Sequence, residues 1–345
     1  FADFFTFRPG KGQRSWLDGH NAVAVLALPF HLMITYTGLV TLATMLVPWA
    51  IAANFQDEQK YYGVVFPAAE FVEPAGKPAK MASLADMVRD AEQRLGARVT
   101  YVSVNAPGDA SARVTASRAP SSMLSSYTPS ITYDGVTGKL VWRSPSPPPG
   151  AETTGAMIGL HAGRFAGYDL RFLYFLCGVA GCVMVASGLV LWTVKRRSKL
   201  PDPAHPHFGF RVVEGMNIGV IGGFPLGVAA MLWANRLLPV HLADRAEWEV
   251  RVLFLAWAAS FAAAILARPR RCWIWLTALT GALLALLPFY NLVATPQGLF
   301  TALGKGDFMI AGIDLGLLVF GAGFLAIARR VADAGKAASR PPPRA

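Results

Sequence analysis

The sequence predicts a polytopic α-helical membrane protein with a small α+β domain set between its first two spans. Three observations predict it. Of 345 residues, 54% are hydrophobic and only 15% are charged, a balance foreign to soluble chains of this size. Six stretches stay apolar for about 20 residues, the length that crosses ~30 Å of hydrocarbon. The interval 51–155 breaks that pattern with polar, charged and proline-rich sequence.

The first span is expected at 22–49. Ahead of it, FADFFTFRPGKGQR shows no secretory cleavage pattern, so the span is expected to be a retained anchor. Within HNAVAVLALPFHL, His20 and His31 stand eleven positions apart. On one continuous helix that spacing is three turns plus about 20°, which puts both imidazoles on nearly one face, roughly 16 Å apart along the axis.

The interval 51–155 then reads as a separate domain. MASLADMVRDAEQRLG, residues 81–96, carries Met81, Leu84, Met87, Val88, Ala91 and Leu95 on one helical face and stops at Gly96, a typical helix end. RVTYVSVN, SARVTASR and SITYDGVTGKLVWR alternate and are rich in β-branched residues, as strands are. Asp134-Gly135 and Thr137-Gly138 mark a hairpin turn in the last of them. A helix on a small antiparallel sheet is the expected plan, with PSPPPG at 145–150 as a stiff spacer. Six arginines (Arg89, Arg94, Arg98, Arg113, Arg118 and Arg143), together with Tyr61, Tyr62, Tyr101, Tyr127, Tyr133 and Trp142, offer a docking surface for a bulky anionic or hydroxamate-rich ligand. A merely solvated surface over ordinary core aromatics explains them as well.

The remaining spans are expected at 170–194, 212–238, 250–267, 272–293 and 309–328, with kinks at Pro225 and Pro288. The chain thus divides into 1–50 (N-terminus and first span), 51–155 (the inserted domain), 156–330 (spans two to six) and a tail at 331–345.

Charge sets the orientation. The segments 1–19, 195–211, 268–271 and 329–345 hold 16 of the 32 Lys and Arg against 4 of the 21 acidic residues, a net charge of +12, while the rest of the chain nets −1. By the positive-inside rule these segments and both termini face the cytoplasm, and 51–155 faces the periplasm of a bacterial inner membrane. Topology accounts for the basic pI, so no nucleic-acid partner is expected; membrane lipid is the expected surrounding. Cys177, Cys182 and Cys272 all fall in spans, leaving no disulfide for the exported domain.

Histidines are few and unevenly placed. His20 lies at the cytoplasmic edge of the first span, His31 inside it, His161 before the second span, His205 and His207 in the following loop and His241 after the third span. Polar groups in a bilayer are costly and tend to mark function. A b-type haem takes one or two neutral imidazoles in an apolar slot between helices, and bis-histidine ligation suits electron transfer. GVAGCVMVASG at 178–188 and NIGVIGGFPLG at 217–227 offer the smooth surfaces that such a slot needs, although plain helix packing uses glycine in the same way. From depth, His161 is the expected partner for a haem near the periplasmic surface, and His241 serves the same site or is only an interface residue. His205 and His207 read as loop residues, with the alternative that either completes a cytoplasmic-edge haem with His20. Asp314, mid-helix in the last span, either relays protons, pairs with Arg171 or Arg251, or makes an interhelical hydrogen bond. There is no CxxC pair, Walker loop, GxGxxG or HExxH, which argues against nicotinamide, flavin, ATP and zinc sites.

LDGHNAVAVLALPFHLMITYTGLV (17–40), GLHAGRFAGYDLRFLYFLCGVAGCVMVASGLVLWTVKRR (159–197) and FRVVEGMNIGVIGGFPLGVAAMLWANRLLP (210–239) resemble the PepSY-associated transmembrane family, and ITYDGVTGKLVW resembles the end of a PepSY domain. The resemblance implies a PepSY-like periplasmic domain, a haem b (one or two) between helices and reduction of ferric siderophores at the periplasmic face. It implies that His20, His31 and His161 are axial ligands; His241 is an extension from depth alone. The expected function is an oxidoreductase that takes electrons from an unknown donor, quinol or a cytoplasmic reductase, and passes them to a ferric siderophore, releasing Fe(II). The alternatives are a membrane-anchored PepSY module that binds or regulates a partner protein, and a transporter of iron or its chelate.

Overall fold

A computed structural model describes residues 5–338 apart from 56, 120 and 122, with the backbone alone for 335–338. The last part of the expected tail, 339–345, lies outside the described residues. The chain separates into two units, Phe1–Val185 and Ala186–Ala345.

The first unit opens with α1 (Gln13–Leu26) and α2 (Leu28–Thr41), which meet at a bend of 59°. The expected continuous span at 22–49 is therefore corrected: it starts earlier, breaks at Ala27 and stops at Thr41. Pro29 is the cause. It has no amide to donate to the carbonyl of Val25, and its ring clashes there, so Ala27 closes α1 through Val23 O and α2 restarts with His31 N donating to Ala27 O. Short helices α3 (Ala43–Leu46), α4 (Pro48–Phe55) and α5 (Glu58–Val65) follow; Asp57 caps the last by accepting from Gln59 N.

Next come α6 (Leu84–Leu95) and a sheet of β1 (Val99–Asn105), β2 (Arg113–Arg118), β3 (Ser130–Asp134) and β4 (Leu140–Arg143), antiparallel in the order β1-β2-β3-β4. The helix starts at Ser83, whose hydroxyl accepts from Asp86 N, and ends on left-handed Gly96, as the sequence pattern predicts. Alternation in β2 turns Val114 and Ala116 inward to meet Ile131, Tyr133, Met87 and Ala91 in one core. Tyr133 reaches across it to donate to Asp90 at 2.7 Å. Asp134 closes the β3–β4 turn, accepting from Val136 N, Thr137 N and the Thr137 hydroxyl.

An element the sequence pattern did not announce follows. The expected spacer at 145–150 is extended only to Pro148, and from Pro149 the chain forms α7 (Pro149–Ala162), with proline at the helix start where a missing amide costs nothing. Gly155 and Gly159 let α7 lie against the loop 124–127: a Cβ at Gly155 would fall 2.3 Å from the Ser125 hydroxyl, and one at Gly159 would overlap the carbonyl of Leu124. The helix also packs on α2. Then α8 (Tyr168–Arg197) begins, and its apolar side chains face outward, as those of a lipid-facing helix do.

The second unit holds the end of α8, α9 (Phe208–Ile218), a π-helical turn Gly219–Gly223, α10 (Phe224–Leu237), α11 (Arg245–Leu266), α12 (Pro269–Ala294), a short α13 (Leu299–Gly304) and α14 (Phe308–Ala338). At the expected kink of Pro225 a π turn stands just before the proline within one continuous helix, and its Gly219 carbonyl also accepts from Trp257 Nε1 at 2.9 Å. Pro288 sits inside an unbroken α12. Gly281 and Gly321 face each other where α12 meets α14, the close approach that small residues permit in membranes. Among the described residues, five unbroken helices are long and apolar enough to span a bilayer, six if the bent α1–α2 pair is counted as one span. The protein is a polytopic helical membrane protein.

Candidate functional site

In the first unit, α2, α7 and α8 come together around two of the expected histidines. His31, on α2, turns toward α8, where Nε2 lies 3.2 Å from the carbonyl of Cys177. A carbonyl only accepts, so the proton sits on Nε2 and Nδ1 is left with a lone pair. That Nδ1 is buried without a hydrogen-bond partner. Opposite the ring is Gly181, where a Cβ would stand 3.0 Å from Nε2.

His161, in the last turn of α7, faces α2 further along. Its Nδ1 lies 3.1 Å from the carbonyl of Ile34 and 3.2 Å from the Thr37 hydroxyl. Thr37 itself donates to Met33 O at 2.7 Å, so Nδ1 carries the proton and Nε2 keeps the lone pair. Gly38 fronts this ring as Gly181 fronts the other, a Cβ there falling 3.0 Å from Cε1. Tyr174 ties the three helices: its ring meets Phe30 edge-on at 5.1 Å and its hydroxyl donates to Leu160 O at 3.0 Å.

An imidazole with one nitrogen held by a backbone carbonyl is the kind of donor that a b-type haem would take through its other nitrogen. Each imidazole has one nitrogen fixed by a backbone carbonyl, and each lies against a glycine. Such a carbonyl contact is the usual orienting device behind a ligating histidine. Tyr174, Thr37 and Cys177 are supporting residues that the sequence reading did not name. Gly38 and Gly181 were inside the quoted runs, but only the packing shows which glycines face the rings.

The other histidines are on other elements. His20 lies on α1, across the 59° bend from His31, so the expected same-face alignment is corrected. Two residues before it, Asp18 is buried and held by Arg8 at 2.8 Å and Arg14 at 3.1 Å, which pins the N-terminal segment to α1. His241 is in the second unit, exposed in the turn after α10. His207 caps α9 by accepting from Phe210 N, and His205 contacts Asp202 at 2.9 Å; both are loop residues, as expected. Among the described residues no group of three or more His, Cys, Asp or Glu gathers as a metal site.

The second unit has its own buried polar chain. Asp314 accepts from Asn291 Nδ2 at 3.0 Å, Asn291 accepts from Arg236 Nε at 2.9 Å, Arg236 meets Asn235, and Asn235 donates to Glu249, which Arg245 contacts at 3.0 Å. Of the two arginines expected as its partners, Arg171 donates to Arg164 O and Arg251 binds Glu247. The interhelical hydrogen bond is the alternative the structure bears out, and Asp314 Oδ2 has no partner.

No solved structure matches this chain. Over 287 residues it is 27% identical to the uncharacterized protein PA4219 of Pseudomonas aeruginosa, spanning 76% of this chain and 68% of that protein. The family described as the PepSY-associated TM region matches residues 1–195, a stretch that contains His20, His31 and His161 and leaves out His241. With more than half of its length in that match, the chain belongs to the PepSY-associated transmembrane family.

Proposed function

We propose that this protein is an inner-membrane, haem b-containing reductase that passes electrons to a ferric siderophore and releases Fe(II). One observation carries the reading: two imidazoles, on α2 and α7, are each held by a backbone carbonyl and fronted by a glycine. A bound b-type haem supplies one-electron transfer through an iron that takes neutral imidazole nitrogens. The chain's part is to present them. Ile34 O and Thr37 orient His161 with Nε2 as the free nitrogen, and Cys177 O orients His31 with Nδ1 free. Gly38 and Gly181 keep side chains away from both rings.

One electron converts Fe(III), held tightly by hard oxygen donors, to Fe(II), which the same donors hold far more weakly. The net +12 of the N-terminus, the connecting segments and the tail supports a cytoplasmic placement for them and a periplasmic one for the α+β segment. Electrons then come from quinol or a cytoplasmic reductase.

The test is haem content per chain after expression with full haem supply. The expected preparation is red, with a Soret band that shifts on dithionite, and His31→Ala and His161→Ala each lose haem. A colourless wild-type protein would sink the reading; full haem in both variants would sink the ligand assignment. A second reading, an iron-chelate transporter, is favoured by the buried Asp314 chain; it requires chelate uptake into proteoliposomes that lack any reductant.

A further inference from the structure

We propose that, independently of any reductase activity, the end of the bundle where α11 leads into α12 holds an anionic phospholipid, its phosphate on Arg268 and Arg271 and its acyl chains along the outer face of α12. All of these residues belong to the second unit.

Charge at this end is one-sided. No acidic residue stands between Glu249 and Asp307, and within that stretch ARPRRC, residues 267–272, brings three arginines together. Pro269 opens α12 at its first position, so the helix begins inside the arginine run. The three guanidinium groups then have different tasks. Arg270 donates to Val331 O at 3.2 Å and to Ala332 O at 2.8 Å, which fastens the start of α12 to α14. Arg268 and Arg271 are exposed and have no acidic partner among the described residues. Arg329 and Arg330, just before Val331, add two more exposed cations, with Asp333 a loose partner of Arg329 at 3.9 Å.

From Arg271 inward, the outer face of α12 changes character in the order of a lipid. Residues four apart share a helical face, so Arg271, Trp275 and Leu279 form one stripe. Trp275 is 72% exposed and Leu279 48%. They lie roughly 6 and 12 Å along the axis from Arg271, inside the ~15 Å depth of one hydrocarbon leaflet. Cation, indole and alkyl side chain thus match phosphate, glycerol backbone and acyl chain, and indoles favour that middle level. Ile265 and Leu266, exposed at the end of α11, extend the apolar wall to within two residues of Arg268. The positive-inside rule accounts for cations at a helix end. It does not account for their standing unpaired at the head of an exposed aromatic and apolar stripe; a membrane phosphate supplies the missing countercharge.

Native mass spectrometry of the full-length protein in a neutral detergent tests this, with phosphatidylglycerol and phosphatidylcholine of identical acyl chains as the probes. Phosphatidylglycerol is expected to bind about tenfold more tightly than phosphatidylcholine, and to weaken as salt rises. Arg268→Gln and Arg271→Gln should each lose about fivefold for phosphatidylglycerol and little for phosphatidylcholine, with circular dichroism unchanged. Trp275→Ala should weaken binding of both lipids. Inorganic phosphate and glycerol 3-phosphate should fail to displace phosphatidylglycerol, because they lack the acyl half.

Lys195→Gln with Lys199→Gln removes two exposed cations at the end of α8 and serves as the comparison. A loss there equal to that of the arginine double variant would show a general basic surface and overturn the site. Equal binding of the two lipids to wild type, or displacement of phosphatidylglycerol by free phosphate, would overturn it as well.

Discussion

At the scale of single residues, Asp86 and Asp90 are held by arginines of their own helix, while one carboxylate of the α+β region is anchored by a hydroxyl and backbone amides instead. That carboxylate is Asp109. The Ser111 hydroxyl at 2.6 Å and the Ser111 amide at 2.8 Å, helped by the amides of Ala75 and Lys77, hold its carboxyl well below the usual carboxylate range. A carboxyl depressed on folding adds stability that is complete above its unfolded value of about 3.9 and fades as pH falls below it. Loss of the β signal in circular dichroism is therefore expected below about pH 4. Asp109→Asn should be less stable at neutral pH and should show a flatter acid limb; an unchanged acid limb would assign the effect to other groups. Tyr133 moves the other way, its hydroxyl raised by burial and by the Asp90 carboxylate it serves.

At the scale of elements, Pro29 decides the path of the first span. Restoring an amide with Pro29→Ala should let residue 29 donate to Val25 O and draw α1 and α2 into line. Trp16 and Tyr36 are both exposed, so spin labels there read the change. Against the present 59° bend, the distance should lengthen by about 4 Å, toward the ~30 Å that twenty residues of straight helix span. No change would show that packing of α2 on α7, and not the proline, sets the angle. The second element that matters is α7, which carries His161. Its sequence, PGAETTGAMIGLHA, is neither cleanly amphipathic nor long enough to span a bilayer. Only its fit against the loop 124–127 and α2 shows why it is a helix.

At the scale of the molecule, charge asymmetry predicts the topology. Cysteines placed at exposed Leu84 and exposed Lys199 should react from opposite sides with a membrane-impermeant maleimide in intact cells, the first labelled and the second protected. The reverse order would invert the orientation, and labelling of both would refute opposite sides for the two segments. The second unit adds weight here: the chain from Asp314 to Arg245 links helices α10, α11, α12 and α14 through polar contacts inside an apolar bundle. Breaking any one of them leaves a buried group unpaired.

The sequence by itself determined the class of fold and the helix-and-sheet plan of 84–143, because these follow from period and length: apolar runs of membrane-spanning size, a 3.6-residue stripe over Met87 and Ala91, and two-residue alternation through Val114 and Ala116. It also narrowed the candidate ligands to four of the six histidines, His20, His31, His161 and His241. Tertiary structure decided the rest, because contacts between distant segments leave no local pattern. It broke the supposed His20–His31 alignment at Pro29, put His161 on a helix that docks on α2, and chose Gly38 and Gly181 from among 33 glycines as the ones that front the rings. It left His241 on an exposed turn of the other unit, where depth inferred along the chain says nothing about neighbours in space.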